Sequence, residues 1–87
     1  MRTRVKICGI TRIQDIKSVV DAGADAIGFV FFPPSPRHVS VELAQELVKQ
    51  VPAYVQTVGL FVNASSDEIL EVLKTVSNNA DDFVLPP

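Results

Sequence analysis

Apolar residues in this chain are grouped into three short runs separated by longer amphipathic segments. The runs cover residues 4–8, 25–32 and 54–62 and are rich in β-branched and aromatic side chains, which is typical of β-strands. The second run, DAIGFVFF, is nearly all apolar, which indicates a strand buried on both faces, as in a parallel sheet covered by helices. The pattern therefore predicts three strands.

Each amphipathic segment begins with a residue that can cap a helix. Thr11 stands three residues before Gln14, and Ser65 three residues before Glu68, which is the spacing of a capping box. Ser40 can cap the segment between them. The predicted helices have apolar stripes formed by Ile13, Ile16 and Val20 in the first, by Val41, Ala44, Val48 and Val51 in the second, and by Ile69, Leu73 and Val76 in the third.

The ends of the first two predicted helices are also marked. The first covers residues 12–22 and is followed by Gly23, which suits a helix end because glycine enters the left-handed region without strain. Pro52 ends the second helix. The loop before that helix, PPSPRHV, has three prolines within four residues, which exclude both helix and central strand there.

The predicted order of elements is βαβαβα, with connections of a few residues. Such an order indicates parallel strands joined by right-handed helical crossovers. We therefore predict an α/β fold for residues 1–76. Residues 77–87, SNNADDFVLPP, form a divergent tail that breaks the pattern, because they begin like a turn, offer only FVL as a short strand and end in two prolines. We assign no element to this tail.

Composition mainly excludes classes of partner. The 87 residues make at most one small domain, 47% apolar and 21% charged, with a formal net charge of −2. The scattered Lys and Arg predict neither a nucleic-acid surface nor a membrane surface. No apolar run approaches the ~20 residues of a transmembrane helix, and the N-terminal residues lack the apolar region of a signal peptide. One cysteine and no zinc-type ligand spacing favour a reducing cytoplasm and predict no metal.

Ligands of parallel α/β folds bind beyond the carboxyl ends of the strands. Three loops lie there, and their polar or reactive residues are Cys8, Thr11, Arg12, Ser35, Arg37, His38 and Asn63. Side chains alternate along a strand, so Val5 and Ile7 should face the helices, while Lys6 and Cys8 face the opposite side, which is the interior if the sheet closes into a barrel.

Each of these residues also has a purely structural interpretation. A lone cysteine at the end of an apolar strand is usually inert packing, by about three to one. Arg37 after prolines is more often a solvated loop residue than an anion-binding group, and the adjacent His38 is more simply a surface residue than a general base. The glycines match neither a P-loop nor a dinucleotide-binding fingerprint. Spacing alone does not decide between these interpretations.

The residues of three sequence blocks decide between these interpretations. VKICGITR at the first strand, GADAIGFVFFPPSPRHVS at the second and VGLFVN at the third resemble, in order and spacing, the opening of the phosphoribosylanthranilate isomerase family. The resemblance covers about residues 4–76 and stops at the tail. It implies the first three βα units of a (βα)8 TIM barrel, in which Cys8 is the general base and Arg37 holds the anthranilate carboxylate.

The resemblance further implies an Amadori rearrangement of a small phosphorylated sugar–anthranilate substrate in tryptophan biosynthesis, without cofactor or metal. The family's general acid and phosphate site lie in later units, which these 87 residues do not match. We therefore expect the 87 residues alone to be inactive and weakly stable, with the first and third strands as open edges. Two alternatives remain: a half-barrel module that associates with itself or with a complementary chain, and a small open domain that binds anions through residues 9–12 and 63–66.

Overall fold

Strands and helices alternate from the first element to the last in the computed structural model, which describes residues 3–76 and 83–84. The strands are Lys6–Cys8 (β1), Ala26–Val30 (β2), Gln56–Leu60 (β3) and Phe83–Val84 (β4), and the helices are Ile13–Asp21 (α1), Val41–Val48 (α2) and Ser66–Val76 (α3). All adjacent strands pair in parallel, in the order β1-β2-β3-β4. The predicted order of three strands and three helices is confirmed, although each strand is shorter than its apolar run.

The fourth strand is the main difference from the sequence prediction. Phe83 and Val84, for which no element was assigned, pair in parallel with Thr57 and Val58 of β3. The expectation that β3 is an open edge is therefore wrong, because the edges of the described sheet are β1 and β4. The remainder of the predicted tail, residues 77–82 and 85–87, lies outside the described residues.

The hydrophobic core of the described residues lies between the sheet and the helices. Buried residues of all three helices belong to the same cluster as Ile27 and Phe29, so the helices cover one face of the sheet, as right-handed crossovers between neighbouring strands require. Ile27 and Phe29 of β2 have no exposed surface, and all five residues of β2 are buried, as its lack of polar alternation predicted. Leu47 of α2 is also fully buried, although the predicted apolar stripe omitted it. The apolar face of α2 is therefore wider than the predicted stripe.

The N-terminal caps of α2 and α3 are as predicted. The hydroxyl of Ser40 accepts a hydrogen bond from the N–H of Leu43 at 3.1 Å, and the hydroxyl of Ser65 accepts one from the N–H of Glu68 at 3.2 Å. These bonds satisfy N–H groups that have no partner within the helix.

The cap predicted for α1 is wrong. Arg12, and not Thr11, is the N-cap residue, and it makes no capping hydrogen bond through its side chain. Its guanidinium instead donates to both carboxylate oxygens of Asp15, with Nε–Oδ2 and Nη2–Oδ1 distances of 2.9 Å. This hydrogen-bonded pair lowers the pKa of Asp15 and raises the pKa of Arg12. The first turn of α1 therefore carries an ion pair between two side chains and no side-chain cap.

The C-terminal end of α1 follows the prediction for Gly23. This residue has a φ of +95°. Its N–H donates to the carbonyl of Val20, and the N–H of Ala24 donates to the carbonyl of Val19, each at 3.0 Å. The two bonds form a Schellman motif, which ends the helix and leads the chain into β2.

No helix in the described part of the chain has the length and apolar character needed to cross a membrane.

Candidate functional site

The thiol of Cys8 lies on the face of the sheet that the helices leave uncovered. Cys8 is the last residue of β1 and pairs with Gly28 in the parallel register. A Cβ built on Gly28 would be 2.9 Å from Cys8 Sγ, so the thiol and the missing side chain of Gly28 share one face. The neighbours of Gly28, Ile27 and Phe29, point to the other face and into the core. Cys8 is a half-buried residue at the carboxyl end of the strand, and its thiol lies on the face that the alternation predicted.

The predicted alternation of side chains between the two faces is confirmed for Ile7 but not for Val5, which precedes β1. Ile7 packs against the core, as predicted, whereas Val5 was expected beneath the helices but is 44% exposed. Val5 precedes the first residue of β1, and its N–H donates to a carboxylate oxygen of Asp25 at 2.7 Å. The strand therefore brings only Ile7 to the helical face, and only Lys6 and Cys8 to the opposite one.

The backbone turns immediately after Cys8. Gly9 has a φ of +90°, a left-handed conformation that side chains rarely adopt. The carbonyl of Gly28 accepts hydrogen bonds from the N–H groups of Gly9 and Ile10, at 3.0 and 3.3 Å. Ile10 then enters the core with 7% of its surface exposed. The end of β1 is thus fixed on both sides of the turn, which limits the positions that the thiol can reach.

Arg37 meets this turn from the loop that follows β2. A Cβ on Gly9 would collide with Arg37 Cδ and would lie 3.4 Å from both Arg37 Cβ and Cγ. The aliphatic part of the arginine therefore lies directly over residue 9, the residue next to the cysteine. The structure brings together the two residues that the resemblance singles out, although they are 29 positions apart in the sequence.

The loop that carries Arg37 is held at two points. The hydroxyl of Ser35 accepts a hydrogen bond from the N–H of Arg37, and its carbonyl accepts one from the N–H of His38, both at 3.1 Å. Val39 is buried and donates its N–H to the carbonyl of Val30 at 3.0 Å, beside an isolated parallel bridge between Val30 and His38. His38 is exposed, in agreement with its interpretation as a surface residue. Sequence reasoning named Ser35 but did not predict this turn.

The third loop is shaped by Asn63 and by an aromatic pair. Asn63 has a φ of +57°, a left-handed conformation that asparagine tolerates better than most residues. Phe31 and Phe61, which follow β2 and β3, stack with their ring centroids 5.2 Å apart and their planes inclined by 18°. The pair was not predicted, although both rings come one residue after strands that share a register. The stacked rings hold the loop after β2 against the loop after β3.

The largest pocket of the described residues does not contain Cys8 or Arg37, and these residues offer no metal site. A cavity of about 900 Å³ is found at the amino ends of the strands, where Arg4, Asp25 and Tyr54 are among its lining residues. It includes neither Cys8 nor Arg37, and ligands of parallel α/β folds bind at the opposite end. In the described residues no three His, Cys, Asp or Glu side chains are grouped so that they could hold a metal ion.

Comparison with known proteins gives a consistent result. A family model described as N-(5'phosphoribosyl)anthranilate (PRA) isomerase matches residues 5–80. The N-(5'-phosphoribosyl)anthranilate isomerase of Acinetobacter calcoaceticus is 68% identical over 77 residues, which are 88% of this chain and 36% of the relative. That of Dechloromonas aromatica is 59% identical over 69 residues, which are 79% of this chain and 33% of the relative. The chain thus spans about a third of the length of these relatives.

Solved structures agree with the sequence matches. The phosphoribosyl anthranilate isomerase from Thermotoga maritima superposes with a TM-score of 0.83 at 47% identity, covering 86% of this chain and 37% of that one. A second structure, an isomerase in complex with reduced 1-(o-carboxyphenylamino)-1-deoxyribulose 5-phosphate, has the same TM-score and identity and is covered to 39%. Strands β1 to β3 with their helices are therefore the first three βα units of a (βα)8 TIM barrel, here with an open sheet. On this evidence the chain belongs to the N-(5'-phosphoribosyl)anthranilate isomerase family.

Proposed function

We propose that this chain supplies the general base and one substrate contact of a phosphoribosylanthranilate isomerase. Cys8 is the base, and Arg37 binds the carboxylate of the anthranilate ring. The observation that carries the proposal is the contact of the Arg37 stem with Gly9, the residue next to Cys8. It brings a thiol and a guanidinium to the carboxyl ends of two adjacent parallel strands, where this class of fold binds its ligands.

The chemistry of an Amadori rearrangement suits these two groups. The substrate is an aminoaldose whose furanose ring must open, which requires a proton on the ring oxygen. The proton on the carbon next to the aminated one is then removed, and the aminoketose results. An acid and a base on opposite sides of the substrate are sufficient. Cysteine accepts a proton as the thiolate, and Cys8 is a half-buried residue whose thiol lies on the uncovered face of the sheet.

Arg37 suits the anthranilate half of the substrate. Its planar guanidinium can donate two parallel hydrogen bonds to one carboxylate, which fixes the orientation of the aromatic ring as well as its charge. The ligand named for one solved relative carries a carboxyphenylamino group and a deoxyribulose phosphate, the same two halves. A free thiol in this role needs a reducing compartment, which favours the cytoplasm.

We expect the 87 residues by themselves not to turn over the substrate. The family resemblance assigns the general acid and the phosphate contacts to later barrel units, and Phe83–Val84 is the last described strand. A site without its acid and its phosphate contacts has lost most of its transition-state stabilisation.

Complementation tests the proposal. The purified chain is mixed with a second chain that carries the remaining barrel units, and conversion of N-(5-phosphoribosyl)anthranilate is followed. We expect the mixture to be active, Cys8→Ala to lower kcat by about 10² to 10⁴-fold, and Arg37→Ala chiefly to raise KM. Arg4→Ala removes an arginine at the opposite end of the sheet and should change neither constant. An active mixture in which Cys8→Ala has no effect would refute the assignment of the base.

The open edge of β1 favours one alternative, a half-barrel module that associates without catalysis. In the described sheet β1 pairs with β2 alone, so half of its backbone N–H and C=O groups point away from any strand. Size-exclusion chromatography and the same mixing assay separate the two cases. A stable dimer of the 87-residue chain that gains no activity with the complementary chain would support the module.

A further inference from the structure

Gly28 occupies a position where a strand would ordinarily carry a side chain. It is the middle residue of β2, a central strand of which every residue is buried. Glycine weakens the interior of a strand because it loses more conformational freedom on folding and contributes no packing, and its presence there often marks the close approach of another group. Its φ is not in the left-handed region that would require glycine. The backbone of β2 therefore does not explain the residue.

The surroundings of Gly28 do explain it. A Cβ at this position would lie 2.9 Å from Cys8 Sγ and 3.3 Å from Cys8 Cα and Cβ. These distances are shorter than the about 3.5–4.0 Å at which non-bonded carbon atoms attract each other. All three of the nearest atoms belong to Cys8. The space left by the missing side chain is thus occupied by the thiol.

The backbone carbonyl of Gly28 also holds the turn that follows Cys8. It accepts the hydrogen bonds of Gly9 and Ile10, so residue 28 fixes the chain immediately after the cysteine as well as the cysteine itself. An alanine would retain this carbonyl and fill only the space. The substitution therefore acts through the volume beside Cys8 and removes no hydrogen-bonding group of the turn.

We propose that Gly28 is a positioning residue, which sets the direction of the Cys8 thiol toward the substrate by leaving open the volume that Sγ fills. The proposal rests on the proposed role of Cys8 as the base. In the Gly28→Ala variant the sulfur must rotate or β1 must shift, because a methyl group and Sγ cannot share that volume. The stem of Arg37 lies over Gly9, so the volume that the new methyl group fills beside Cys8 is separate from the arginine contact.

The first test is a thermodynamic cycle on the 87-residue chain, measured by urea unfolding. Gly28→Ala should lower the unfolding midpoint more when Cys8 is present than in a Cys8→Ala background, because the second background lacks Sγ. Gly59→Ala is the matched control, since its new Cβ would lie 3.0 Å from a ring atom of Phe61 and contact no part of Cys8. The control should cost the same in both backgrounds. Equal costs for Gly28→Ala in both backgrounds would overturn the proposal.

The second test separates positioning from packing, in the complemented mixture. A displacement of about 1 Å at a reacting group can cost on the order of 10²-fold in rate, so Gly28→Ala should lower kcat by about 10- to 100-fold. KM should stay close to that of the parent chain, because the contact with the carboxylate is intact. An unchanged kcat for Gly28→Ala, in a mixture that Cys8→Ala inactivates, would overturn the positioning role alone. If Cys8→Ala leaves the turnover unchanged, the base assignment fails and with it the positioning role, whereas the unfolding cycle still reports whether the contact exists.

Discussion

Replacing Gly9 by alanine perturbs two features at once, and the structure allows their costs to be separated. The first is the backbone conformation, since the φ of +90° is unfavourable for an L-residue. The second is contact, because the new methyl group would occupy the volume of Arg37 Cδ. Gly23 supplies the matched control. Its φ is +95°, and a Cβ there would have no atom within 4 Å.

The expected magnitudes follow from this comparison. Left-handed backbone costs an L-residue roughly 1–2 kcal/mol, and this part should be nearly equal for Gly9→Ala and Gly23→Ala. Overpacking in a closed core costs about 1–3 kcal/mol. Arg37 is exposed and can swing away, so we expect the low end, about 1 kcal/mol of excess for Gly9→Ala. Such a difference changes the unfolding equilibrium constant by about fivefold.

The assay is urea unfolding followed by far-UV circular dichroism, with both glycine variants made in the parent chain and in an Arg37→Ala background. Most of the excess for Gly9→Ala should disappear when the stem of Arg37 is removed, whereas the cost of Gly23→Ala should not change. In the complemented mixture Gly9→Ala should also raise KM if Arg37 binds the substrate carboxylate as we propose, because the arginine is then displaced. An excess that persists in the Arg37→Ala background would show that the arginine stem is not the obstruction, and the proposed site geometry would be refuted.

Three further predictions concern the frame that holds the site. Phe29→Ala should cost about 3–5 kcal/mol because Phe29 is fully buried, which is enough to unfold a weakly stable chain. Tyr54→Ala, at a side chain that is 80% exposed, should cost no more than about 0.5 kcal/mol and keep the melting transition of the parent chain. Similar thermal melts for the two variants would contradict this core. Ser40→Ala should cost about 1 kcal/mol through loss of the α2 cap, to be checked by urea unfolding, where the absence of any loss would argue against the cap. The pKa of Asp15 is lowered by Arg12, so the stability from this pair should be complete above the ordinary aspartate pKa of about 3.9 and be lost as the pH falls through the lowered value. Unfolding midpoints of the parent chain and of Asp15→Asn should therefore converge at low pH, and a gap that widens on acidification would reverse the sign of the interaction.

The parts of the fold that sequence predicted well depend on local chemistry. The apolar run at residues 25–32 predicted a buried strand, and every residue of β2 is buried although the described helices cover one face of the sheet. The hydroxyls of Ser40 and Ser65 lie where capping requires them, and Gly23 ends α1. In each case a short segment contains the whole physical reason for its conformation, so no distant residue is needed to foresee it.

The errors occur where an element begins at a different residue or where its partner is remote. The hydroxyl cap expected at Thr11 does not form, because α1 begins one residue later and Arg12 is its N-cap residue. The strand at Phe83–Val84 contains only two residues and is defined by pairing with β3 rather than by its own sequence. Short elements of this kind depend on the register of a neighbouring strand, which periodicity does not supply.

The candidate site was predicted only in part for a similar reason. The resemblance of three blocks named Cys8 and Arg37, and alternation placed the thiol on the correct face. The turn at Ser35 is local, because its hydroxyl bonds the N–H of Arg37 two residues later, and serine is a known turn residue whose signal the prediction overlooked. The role of Gly28 in making room could not be foreseen, since it depends on the distance between two strands that are far apart in the sequence. A glycine within an otherwise fully apolar strand was the available signal, and it points to a close approach without identifying the group that approaches.

The position of β1 at the border of the described sheet has a consequence for how the molecule could be observed. The strand that carries the thiol has one hydrogen-bonded neighbour, whereas β2 has two. Its outward amides should exchange with deuterium sooner than those of β2, and any chain that docks along that border should slow them. Exchange at residues 6–8 would then report such docking at the strand that carries Cys8.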